Sequence, residues 1–184
     1  MKYPQPTSNL LQWIRSFWSS LVQILGNIFS ALFRKDPVIH SAKRKIRLSR
    51  LQKEILIKKV DFYNKLNKTH QEHFEHRLAT FIRTYEFIGR DGYEVNAETK
   101  VLIGSSYTML TFGKRKFITD VFNRIIIYPD IFLSTITQRK HKGEFNPRYK
   151  TVVFSWRHFM EGVTIKNDGI NLAIHEFTHI IHKK

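Results

Sequence analysis

The stretch that decides the reading is Asp168-Gly169-Ile170-Asn171-Leu172-Ala173-Ile174-His175-Glu176-Phe177-Thr178-His179-Ile180-Ile181. Its acidic start can cap a helix, and apolar residues then recur at three- and four-residue spacing through Ile170, Ala173, Ile174, Phe177, Ile180 and Ile181. An α-helix advances about 100° per residue, so His175 and His179 project from one face, one turn apart. Two imidazoles so placed can reach a single metal ion, and Glu176 falls beside them. Zinc suits neutral imidazole nitrogen and can keep a coordination position for water, which leaves the neighbouring carboxylate to take a proton. The spacing therefore predicts a zinc-binding helix with Glu176 as general base, which is the chemistry of a hydrolase.

A catalytic zinc normally takes a third protein ligand. His182 does not supply one, because it lies about 10 Å along the helix axis from His175 at 1.5 Å rise per residue. A glycine-turn route to a third histidine is also absent, since His182 stands where the glycine would be. The third ligand is therefore expected beyond Lys184, in a carboxy-terminal part that this chain lacks, or upstream, where His141, Glu144 and His158 are the candidates. His70, His73 and His76 recur at three-residue intervals, and a drifting polar helix face accounts for them without a metal.

The 184 residues include no cysteine, so disulfides and thiolate ligands are excluded and any zinc is held by nitrogen and oxygen. With 42% hydrophobic content the chain can bury one core with an appendage. Its net charge of +16 suits a polyanionic partner. Between Arg34 and Lys68 there are twelve basic side chains against three acidic ones, a local excess of +9. This basic run follows Ser16–Phe33, eighteen residues with no charge, rich in Phe, Leu and Ile. Polar residues Ser16, Ser19, Ser20, Gln23, Asn27 and Ser30 form a stripe, as in a helix that lies in a membrane interface or just spans it. The following cations would keep the domain on the cytoplasmic, inner face and draw it to anionic headgroups. The expected organisation is a membrane-associating helix over 1–35, a basic linker or helix over 36–60, and a catalytic domain over 61–184. Nucleic acid is a weaker reading of the charge, because the cluster carries no base-reading motif and borders an apolar helix.

Further along, Thr69-His70-Gln71-Glu72 reads as a capping box opening a helix with Phe74, Leu78, Phe81, Ile82 and Tyr85 on one face. Phe87-Ile88-Gly89 predicts a strand, Arg90–Gly92 a turn and Tyr93-Glu94-Val95 another strand. Asn96 caps a helix ending near Gly113. Arg124–Tyr128 and Thr151–Trp156 predict paired strands, with His141–Arg148 a polar loop between them. The fold class expected is α+β, a small sheet beside helices with an edge strand next to the metal helix.

The ordered blocks Glu86–Gly92, Met109-Leu110-Thr111-Phe112-Gly113, Ile126-Ile127-Tyr128-Pro129, His141-Lys142-Gly143-Glu144, Phe154-Ser155-Trp156 and Asp168–Asn171 with the histidine motif resemble the zinc-dependent peptidases related to Mlc titration factor A. The resemblance covers about residues 60 to 184. It implies a zincin-like domain with peptidase, particularly aminopeptidase, activity on peptide or protein substrates. His175 and His179 match zinc ligands, and Glu176 matches the general base. The family also supplies a glutamate ligand and a tyrosine from a portion beyond the motif, which this chain lacks. A rival expectation is a non-catalytic binding protein that uses the same scaffold to hold a regulatory partner.

Overall fold

The computed structural model describes residues 46–164 and 172–182, apart from the side chains of Val163, Thr164, Leu172, His175, His179, Ile181 and His182. The apolar segment Ser16–Phe33, the first part of the basic linker (36–45) and the Asp168 cap lie outside the described residues. Among the described residues no helix is long and apolar enough to cross a membrane.

Helix α1, Arg50–Lys59, opens on a reciprocal capping box in which Ser49 and Gln52 satisfy each other's backbone amides. After the short α2, Asp61–Asn64, comes α3, Lys68–Thr84, whose cap is Asn67: its side chain accepts from the His70 amide. The capping box expected at Thr69 is therefore not formed, because the helix already starts at Lys68 under the Asn67 cap and Thr69 lies inside its first turn. Phe74, Leu78 and Phe81 are buried as the periodicity predicts. Strand β1, Glu86–Gly89, ends in a turn in which Asp91 and Gly92 both have positive φ. A Cβ on Gly89 would lie 1.7 Å from the Tyr93 carbonyl oxygen, so only glycine fits where the chain folds back. Tyr93–Val95, expected as a strand, instead leads directly to the Asn96 cap of α4, Ala97–Thr111.

Helix α4 is apolar on nearly all sides and runs through the centre of the core, with Val101, Leu102, Ile103 and Tyr107 buried. Its small polar residues turn inward on their own helix. Ser106, Thr108 and Thr111 donate to the carbonyls of Leu102, Gly104 and Tyr107. Beyond it lie β2, Arg124–Tyr128, the two-residue strands β3, Phe132–Leu133, and β4, Lys140–His141, then β5, Gly143–Asn146, and β6, Thr151–Ser155. The four-stranded sheet has the order β1-β2-β6-β5, parallel except for the antiparallel pairing of β5 with β6. The predicted pairing of β2 with β6 is present, Ile125 opposite Val152 and Ile127 opposite Phe154. The expected His141–Arg148 loop is largely the edge strand β5, which a chain ladder with Val152 and Val153 creates where local composition reads as turn. Helices α5, Trp156–Thr164, and α6, Leu172–His182, complete the α+β domain.

Candidate active site

Helix α6 carries the histidine motif and rests on α4, β5, β6 and α5. Its apolar side does what the spacing predicts: Ala173, Phe177 and Ile180 are buried. Phe177 is the centre of this packing. Its ring meets those of Phe81, Tyr107, Phe122 and Phe154 at centroid distances between 5.1 and 6.1 Å. Aromatic packing of this kind adds to area burial and fixes the rotation of the helix about its axis. Thr178 donates to the Ile174 carbonyl at 2.6 Å.

The rotation so fixed puts Glu176 into the interior, with only 8% of its surface exposed. Burial first, and the negative charge of Glu144 second, raise its carboxyl from 4.5 to about 7. A carboxyl poised near neutrality can both take up and release a proton under ordinary conditions. Glu144, on β5, has its Oε2 shut off from solvent with no hydrogen-bond partner among the described residues. Glu144 on the sheet edge thus acts on Glu176 in the helix that bears His175 and His179.

Of the upstream candidates, only Glu144 is coupled to Glu176. The His141 ring lies over Phe132 and its Nε2 is 2.7 Å from the Thr137 hydroxyl. His158 bonds Ser155 through Nδ1 at 2.8 Å and stands between Asp130 and Glu161. His70 and His73 pack against the Phe112 ring, and His76 accepts the Ile46 amide. Core packing and backbone capping therefore account for the histidines of α3. Among the described residues, which exclude the two motif imidazoles, no three metal-ligating side chains converge. An open depression of about 630 Å³ at the amino-terminal ends of β1 and β2, lined by Tyr85, Lys116, Asp120 and Lys150 among others, contains none of the motif residues.

The donor set is nevertheless suited to zinc. Its sequence offers two histidines four residues apart, and a desolvated carboxylate oxygen that finds no donor among the described residues is the kind of group a cation satisfies. Sequence reading names His175, Glu176 and His179 and carries Glu144 as one of three upstream candidates, but does not contain the link between Glu144 and Glu176. That link depends on β5 being a strand, and a glycine-led four-residue segment gives little local sign of it.

A mixed α+β domain that presents a His-Glu-x-x-His helix beside a sheet edge is an arrangement used by metallopeptidases. The chain belongs to the glucose-regulated metallo-peptidase M90 family, whose model matches residues 34–184. It is also 24% identical over 138 residues to an uncharacterised protein of Synechocystis sp., an alignment covering 68% of this chain and 50% of that protein. The chain thus spans about half the length of this curated relative.

Proposed function

We propose that this domain is a zinc-dependent peptidase of aminopeptidase type, with His175 and His179 as zinc ligands and Glu176 as general base. The observation that carries the reading is the buried Glu176 carboxyl, raised to about 7 on the helix whose sequence holds both histidines. When bound, zinc would polarise the scissile carbonyl and make water acidic enough to give up a proton near neutral pH. Glu176 would accept that proton and return it to the leaving amine, the exchange for which its raised pKa suits it. Strand β5 pairs with β6 on one side only among the described residues, so its outer backbone groups are open to an extended peptide. The buried ring cluster around Phe177 would hold the base still during this exchange. The basic run after the apolar amino-terminal stretch supports placement at the cytoplasmic face of a membrane.

The test is metal analysis of the full-length protein together with hydrolysis of peptides bearing free or acetylated amino termini, with and without chelator. Zinc at one equivalent and chelator-sensitive release of amino-terminal residues are expected. Glu176→Gln should retain zinc and lose turnover by at least about a hundredfold. Full activity of that variant would remove Glu176 from the mechanism, and a full-length protein that stays free of zinc under saturating supply would remove the whole reading.

A further inference from the structure

We propose that the hairpin formed by β3 and β4 is a membrane-contacting element, seating its apolar tip in the interface of an anionic lipid surface. This inference is independent of the peptidase reading and stands whether or not the chain hydrolyses peptides.

The hairpin is built to hold apolar side chains outward. Strand alternation turns Phe132 inward, where it stacks on Tyr128 with ring centroids 5.0 Å apart. Its neighbours Ile131 and Leu133 then point the other way and are 42% and 61% exposed, and Ile136 at the tip is 55% exposed. The tip is prefolded. Ser134 accepts from the amides of Ile136 and Thr137 through its hydroxyl, and its carbonyl receives the Gln138 amide. The Ser134 amide in turn donates to the Arg139 carbonyl, and Thr137 bonds His141 across the turn. Exposure of these three apolar residues is thus a property of an ordered element.

Charge selects the occupant. From Ile131 to Gly143 there is no acidic residue, while Arg139, Lys140 and Lys142 are all exposed. Apolar side chains interleaved with cations are the composition of an interfacial anchor, and the adjoining carboxylate of Asp130 is paired with Arg157. A peptide or protein partner would use the apolar residues but has no general need for three cations at their base. A lipid surface rich in phosphate uses both, and each cation near such a surface adds to the attraction.

The absence of cysteine allows a direct test on the full chain, with one fluorophore attached through Ile136→Cys and, in a separate sample, through Asn123→Cys as a reference position. Vesicles of phosphatidylglycerol mixed with phosphatidylcholine, vesicles of phosphatidylcholine alone, and a lipid-free sample are compared by access of an aqueous quencher. Shielding of position 136 by roughly threefold or more on the anionic vesicles alone, with position 123 unchanged, is the expected result. In unlabelled protein, Leu133→Asp combined with Ile136→Asp should weaken binding to the anionic vesicles about tenfold. The proposal is overturned if the chain sediments with anionic vesicles while position 136 stays fully quenched, because another segment then makes the contact. It is also overturned if shielding appears on neutral vesicles equally, with added peptide, or with rising protein concentration in the absence of lipid.

Discussion

The ring of Phe177 meets the ring of Tyr107 edge to face, centroids 5.1 Å apart and planes at 78°. Phe177 directly follows Glu176, so the contact that ties α6 to the central helix α4 also sets where the candidate base points. Both rings are almost fully buried. Phe177→Ala should cost about 3–5 kcal/mol of stability, the range for removing a fully packed aromatic ring. Denaturant unfolding measures it, and a cost within experimental error of zero would show that α6 is not held through this ring.

The elevated pKa of Glu176 fixes the sign of a pH dependence. Its folded value is about 7 against 4.5 for the free group, so the folded chain holds this proton more tightly than the unfolded one. That contribution is fully present below pH 4.5 and is lost as pH rises through 7. The metal-free chain should therefore lose up to about 3 kcal/mol across this window through Glu176. Glu176→Gln, which cannot ionise, should flatten the profile. Urea unfolding at a series of pH values in chelator reads the difference, and parallel profiles for the two proteins would contradict it.

Arg77 is 3% exposed, and its guanidinium donates to the carbonyls of Thr111 at 2.5 Å and Lys114 at 2.7 Å. Its charge lies 4.5 Å from the centre of the Phe117 ring. The side chain closes the carboxy-terminal end of α4, where helix carbonyls lack partners. Desolvation lowers its pKa to about 10, which leaves it charged at neutral pH. Arg77→Met keeps the volume but loses both bonds and should cost roughly 2–4 kcal/mol. Faster amide hydrogen exchange around Thr111 and Lys114 would locate the loss, and unchanged exchange there would contradict the closing role.

Gly104 allows α3 and α4 to approach closely. A Cβ there would fall 2.6 Å from Leu78 Cδ1 and 3.0 Å from Phe81 Cδ1, both in buried side chains. Replacing glycine by alanine inside a helix ordinarily gains about 1 kcal/mol. The overpacking penalty of about 1–3 kcal/mol opposes this gain and should exceed it, because both neighbours are fully buried. Gly104→Ala should therefore lower the melting temperature, and an increase would show that the helices can move apart.

Much of the helical framework was legible in the residue order. Asn96 opens α4 as its type and position predict, and the three- and four-residue spacing of Phe74, Leu78 and Phe81 marks the buried side of α3. Ile125 and Ile127, in a β-branched run stopped by Pro129, announce β2. Errors fell where two local signals competed. Thr69 with Glu72 looks like a cap, yet the helix starts earlier under Asn67, and Tyr93–Val95 alternates like a strand but pairs with none among the described residues.

By itself the sequence determined the motif helix and its burial. A periodic apolar stripe has one energetically acceptable orientation, and Ala173, Phe177 and Ile180 take it. Only the tertiary structure decided that Gly143–Asn146 is an edge strand, that its Glu144 acts on Glu176 from 32 residues away, and that Ile131, Leu133 and Ile136 remain uncovered. The reason is physical: strand pairing, electrostatic coupling and solvent exposure are set by residues distant in the chain, which local propensity does not register.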